Sequence, residues 1–187
     1  MRGALVRTAV RAGRRLLRDR RGVAAVEFAL VLPMLLFVGL GGYALTDAAS
    51  TYRKLTDTTV ETANVAAQYT TMQVADTQTV MAATAQIMAP YPTSNLSVVL
   101  SVITTDTNSK ATVLWSEPYP ASGAHLTKNA AFTLPTNLAQ PSTSYVLVQT
   151  TYLFTPMTGS GLTGTIPMHD DLLILPRQSP SIPCSDC

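Results

Sequence analysis

Cysteine is almost missing from this chain, and the two that occur, Cys184 and Cys187, stand together at its end. A folded domain outside the cytoplasm would oxidise such a pair and a cytosolic one would keep it reduced, so the count alone fixes no compartment. Histidine is equally scarce. His125 stands alone in a polar stretch near Lys128, and His169 precedes Asp170 and Asp171 with no second histidine or cysteine at ligand spacing. Adjacent strand residues point to opposite faces, so that trio reads as a solvated strand edge rather than a metal site. The chain has no Gly-x-Ser-x-Gly elbow and no Gly-x-x-x-x-Gly-Lys phosphate loop. Catalysis is left without residue-level support, and neither enzyme activity nor a cofactor is expected.

Positive charge is lacking where a nucleic-acid binder would need it. Residues 23–187 hold five Lys/Arg against ten Asp/Glu, a net −5, which excludes nucleic acid as the partner of the main body. The chain's overall +2 comes from the other end, because residues 1–22 hold eight arginines against the single acid Asp19, a local +7. Arginine clusters bind nucleic acid but also mark the cytoplasmic side of a membrane helix, and the apolar run that follows decides for the second.

That run covers residues 23–45, and its one charge is Glu27. As a helix it would reach roughly 34 Å, enough to cross a bilayer core. A cleaved secretory signal is the alternative, since it too begins with a basic region and an apolar segment. This run, however, exceeds the usual apolar length, contains an acid, and offers only the weak site Ala48-Ala49-Ser50. Pro33 withholds an N–H from the Ala29 carbonyl, and Gly39, Gly41 and Gly42 are weak helix formers that permit close backbone approach. A bend or loosening is expected there.

Beyond the run, Leu45, Ala48, Tyr52, Leu55, Ala63, Ala66 and Tyr69 recur near helical spacing, with charged residues between them. They predict a helical extension over residues 46–90, broken around 70–74. Asp76 is the expected N-cap of the second stretch, Val80, Met81, Ala83, Ile87 and Met88 its buried side, and Pro90 and Pro92 its end. Residues 91–178 read as β-rich. Segments 96–103 and 111–115 form a hairpin about the turn Asp106-Thr107-Asn108-Ser109, and residues 117–143, with Pro118, Pro120, Pro135 and Pro141, form a long connection with one short strand near 130–134. Residues 144–154 are apolar on both alternating faces, as a central strand is. A turn with Gly159, Gly161 and Gly164 leads to a last strand near 172–175, and residues 179–187 are a tail. The fold class is α+β: a long N-terminal helix that starts as a single transmembrane span, followed by an extracytoplasmic antiparallel sheet.

Two features carry the functional argument. Cys184-Ser185-Asp186-Cys187 has redox-motif spacing, but no helix follows to lower the first thiol's pKa, so a small disulfide ring is the better reading; free or intermolecular thiols are the alternatives. Glu27 is costly inside a membrane-length segment, since an ionised side chain there needs a partner, water, or a route to the interface along its own stem.

The stretch Arg21-Gly22-Val23-Ala24-Ala25-Val26-Glu27-Phe28-Ala29-Leu30-Val31-Leu32-Pro33 closely resembles the N-terminal signature of TadE-like pseudopilins. Tyr152-Leu153-Phe154-Thr155-Pro156 and the terminal cysteine pair are also similar to that family. The resemblance implies a pilin-like fold and a minor pseudopilin of a bacterial tight-adherence (Flp-type) pilus system. A prepilin peptidase would cut between Gly22 and Val23, and Glu27 would then pair with the new α-amine, its own or a neighbour's. The resemblance further implies the bacterial inner membrane, an N-terminus in the cytoplasm, a periplasmic domain, and partners comprising the peptidase, related pseudopilins, the pilin and the secretion platform. The competing reading is an uncleaved single-pass membrane protein whose periplasmic domain binds an envelope ligand.

Overall fold

The computed structural model describes residues 22–135, 137–156 and 164–187. The basic leader up to residue 21, and Gly159 and Gly161 of the glycine turn, lie outside the described residues. The chain divides into two units, one ending at Ala44 and one beginning at Leu45.

Helix α1 (Val23–Ala66) is continuous, with Pro33 inside it. One missing hydrogen bond removes a single rung of the ladder, and no break results. In the first unit no described residue covers α1. Its most apolar window is wholly unburied within the chain, and Leu30 and Phe37 are 75% and 77% exposed.

In the second unit α1 changes character. Its buried residues are Thr51, Leu55, Thr58, Thr59, Thr62, Ala63 and Ala66, so the inner face is largely threonine, while Tyr52, expected on that face, is 44% exposed. Threonine serves inside a helix when its hydroxyl bonds a carbonyl one turn back and its methyl packs outward. Thr51, Thr58, Thr59 and Thr62 donate in this way to the carbonyls of Asp47, Lys54, Leu55 and Thr58 at 2.7–2.9 Å. Two of these hydroxyls also reach across the core: Thr59 meets Thr150 at 2.6 Å and Thr62 meets Thr84 at 2.7 Å.

Helix α2 (Val74–Ala85) begins one residue after Gln73, not at Asp76. Asp76 instead sits a turn inside, where its carboxylate accepts the Gln73 N–H at 3.0 Å, which is the reciprocal half of a capping box. Val80, Met81 and Met88 are buried as expected, but Ala83 is exposed and Thr77, Thr84 and Ala85 take the inner face. Short 3-10 turns follow at Gln86–Met88 and Thr93–Asn95.

The sheet has five antiparallel strands, β1 (Leu96–Thr105), β2 (Ala111–Tyr119), β3 (Ala131–Phe132), β4 (Ser144–Phe154) and β5 (Ile166–Ile174), in the order β3-β2-β1-β4-β5. β4 lies between β1 and β5, and both its faces are apolar because the helices pack on one and residues of the 117–143 connection on the other. β2 runs past Pro118, where a loop was expected. Proline is tolerated because there the outer side of β2 has no strand partner: the Pro118 carbonyl accepts from the Gln78 side chain at 2.9 Å, and no ladder donor is lost. β5 is much longer than expected and takes in His169, Asp170 and Asp171. Charges on an edge strand deter pairing with a foreign strand.

One face of the sheet packs on the helices through Val98, Leu100, Val102, Val146, Val148 and Trp115. The other holds Ile103, Ala111, Val113, Tyr145 and Leu147 under the 117–143 connection. A register shift leaves Leu114 unpaired, so Trp115 turns to the helices while Val113 turns away.

Candidate functional site

The first unit presents a helix start and a bare apolar surface. Gly22 immediately precedes α1. A Cβ placed on it would meet nothing within 4 Å, and its φ lies outside the left-handed region. Among the described residues nothing demands a glycine at position 22. Val23 is the first residue of α1, and Gly22 before it is a 3-10 residue. Glu27 follows one turn later, exposed, on the same face as Val23 and about 6 Å further along the axis.

Around Glu27 the surface is apolar on all sides: Val26, Phe28, Val31 and Met34 are 61%, 60%, 48% and 69% exposed. Water would solvate such a surface poorly. Eleven Val, Leu and Phe residues between Val23 and Leu40 favour hydrocarbon by roughly 3–7 kcal/mol in sum, against about 3 kcal/mol for an acid at mid-membrane and less near a helix end. Apolar transfer wins, and the segment is a candidate membrane span.

The amino-acid pattern of this region is a recognised one. Residues 22–64 are TadE-like. They match the family model for TadE-like proteins, from the glycine before α1 to two residues short of its end. The match suggests a protein associated with Tad pili. No curated protein and no solved structure matches the chain with significance. The TadE-like segment thus contains Gly22, Val23 and Glu27 in one run, together with the threonine face that docks on the sheet.

The other residues singled out in the sequence lie in the second unit. Cys184 and Cys187 are joined by a disulfide, their Cα atoms 5.5 Å apart. With Asp186 they form the one cluster of metal-ligand atom types among the described residues. Its sulfurs are bonded to each other, and the Asp186 carboxylate accepts the Val74 N–H at 2.9 Å. That carboxylate thus lies on the first N–H of α2, where the helix dipole favours an anion. His169 lies on the exposed edge strand, its Nδ1 3.0 Å from the Thr151 hydroxyl. His125 is exposed in the loop after β2.

Sequence reasoning missed the part played by the residues after β5. Ile182 is fully buried, and its carbonyl accepts the Trp115 indole N–H at 2.7 Å. The Arg177 N–H bonds the Ala67 carbonyl at 2.8 Å and its guanidinium the Asn64 side chain at 2.9 Å. Met72 pairs with Cys184 as an isolated parallel bridge, its N–H on the Pro183 carbonyl at 3.0 Å. The terminal segment straps the turn between α1 and α2. The one signal for this was Ile182, a β-branched apolar residue among prolines and serines.

Proposed function

We propose that this protein is a minor pseudopilin of a tight-adherence pilus or secretion system, made with a basic cytoplasmic leader and cut between Gly22 and Val23 by a prepilin peptidase. The observation that carries the reading is the TadE-like match over residues 22–64, which begins at a glycine that no described residue crowds. A glycine that no described residue packs against leaves its backbone open to a partner that must approach it, and a peptidase is such a partner.

Cleavage has a physical consequence. It removes an arm of eight arginines and one acid that is held at the cytoplasmic face, and it creates an α-amine with an ordinary pKa near 8, cationic at neutral pH. Glu27 then gains a partner for its charge, either that amine on the same helix or the amine of a neighbouring subunit. The span sits in the bacterial inner membrane with the second unit in the periplasm. The protein works by association with related pseudopilins, the pilin and the secretion platform.

N-terminal sequencing of the protein from cells with an active prepilin peptidase tests this directly. The expected start is Val23, and an intact Met1 overturns the processing step. Gly22→Leu is expected to abolish processing while leaving membrane insertion intact; normal maturation of that variant would refute the assigned cut.

A further inference from the structure

The ring closed by Cys184 and Cys187 lies at the surface of the second unit. Both cysteines are half-buried, and Ser185 and Asp186 between them are exposed. An open groove of about 320 Å³ runs beside it, between the turn that follows α1 and the residues before the ring, lined by Thr71, Met72, Gln73, Pro183, Cys184 and Ser185. The groove brings solvent to the side of Cys184. Thiol–disulfide exchange is governed by such access, since a thiolate must reach one of the sulfurs.

Three contacts tie the ring to the rest of the unit. Met72 bonds on either side of Cys184, its N–H to the Pro183 carbonyl at 3.0 Å and its carbonyl to the Ser185 N–H at 3.4 Å. The Asp186 carboxylate accepts the Val74 N–H at 2.9 Å, and the Cys187 carbonyl accepts the Lys128 Nζ at 2.8 Å. Before the ring, Ile182 is fully buried and its carbonyl holds the Trp115 indole. That anchor does not depend on the sulfur bond. The Asp186 and Lys128 contacts do, because both are single exposed bonds from a segment whose rotations the ring restricts.

We propose that Cys184 and Cys187 are a thiol-exchange site for a dithiol, and that its redox state sets whether Asp186 caps α2. A thiolate of the dithiol attacks one ring sulfur; the sulfur–sulfur bond breaks, a mixed disulfide forms, and the other cysteine leaves as a thiolate. The dithiol's second thiol, deprotonated, then displaces the first cysteine. The dithiol departs as a disulfide, two electrons pass to the chain, and two protons come to rest on Cys184 and Cys187. The pair is the substrate of exchange and not its catalyst, since no helix follows Cys184 to stabilise its thiolate. The reduced chain keeps Ile182 in the core and loses Asp186 from the first N–H of α2. Reoxidation restores it.

The test uses the full chain in detergent micelles, with dithiothreitol as the dithiol, iodoacetamide to count the thiols released, and amide hydrogen exchange as the readout. Dithiothreitol is expected to expose both thiols without denaturant. Exchange over residues 72–78 should then rise at least about threefold while β1 and β4 keep their rates. Thiols released only at denaturant concentrations that unfold the sheet would overturn the exchange site. Thiols released with exchange over 72–78 unchanged would overturn the link to α2. Two variants separate the sulfur bond from the carboxylate. Cys184→Ser combined with Cys187→Ser should exchange as the reduced chain does, with or without dithiothreitol. Asp186→Ala should exchange fast over 72–78 while still oxidised, and reduction should add little; a further rise as large as in the wild type would refute the role of Asp186.

Discussion

Thr62 shows what a single side chain does in the second unit. Its hydroxyl donates to the Thr58 carbonyl at 2.7 Å and lies 2.7 Å from the Thr84 hydroxyl, with no exposure to water. Removing it alone leaves Thr84 without that neighbour. Thr62→Val is expected to cost about 1–3 kcal/mol, whereas Thr62→Val with Thr84→Val should cost less than the two single changes added, because no buried hydroxyl is then left unmatched across the core. Thermal unfolding of the full chain in detergent, followed by circular dichroism, checks this; strict additivity would show that the pair does not interact. Glu27 is the opposite case, a charge with no packing role. Glu27→Ala is expected to leave membrane insertion unchanged and to weaken co-purification with partner pseudopilins by about tenfold, near 1.4 kcal/mol. Full recovery of those partners would contradict it.

At the scale of elements, α1 is one helix with two surfaces made by different means. From Val23 to Ala44 the exposed side chains are apolar around the circumference apart from Glu27, which suits lipid. From Thr51 onward one face is buried, and its threonines answer each other and the sheet. The second helix is short, and twelve residues are marginal without tertiary support. Its start is held at both ends of the chain's folding order, by Asp76 from within and by Asp186 from the terminal segment. Asp186→Ala is expected to cost about 0.5–2 kcal/mol, and Asp186→Asn less, since Asn keeps an acceptor for the Val74 N–H and loses only the charge at the helix end. Equal melting points for the wild type and Asp186→Ala would remove the capping role.

For the whole molecule, the decisive contact is between the last residues and the middle of the chain. Ile182 belongs to the same core cluster as Leu55, Met81 and Trp115, and the ring closed by Cys184 and Cys187 holds Asp186 beside α2. A ring this small would contribute roughly 2 kcal/mol at most in the loop-entropy picture. Burial of Ile182 is the larger effect, and Ile182→Ala is expected to destabilise by about 2–5 kcal/mol. Chemical denaturation should show the loss as a lower midpoint with an unchanged slope; a loss below 1 kcal/mol would mean that the strap is an ornament on an already complete core.

The order of elements was legible from composition and period alone: a membrane-length helix start, a helical continuation, a hairpin and an interior strand. These follow from local patterns, since a lipid-facing helix is apolar all round and an interior strand is apolar on both faces. The TadE-like character of residues 22–64 was legible for the same reason, since it rests on a run of adjacent residues. The threonine face of α1 was not, because a threonine reads as polar until its hydroxyl is seen to bond a carbonyl one turn back. Nor was the passage of β2 through Pro118, which depends on which side of the strand lacks a neighbour. The docking of Ile182 and Asp186 was hidden most deeply. Both act on residues more than sixty positions away, and only the closed chain brings a carboxylate to the first N–H of a helix it does not belong to.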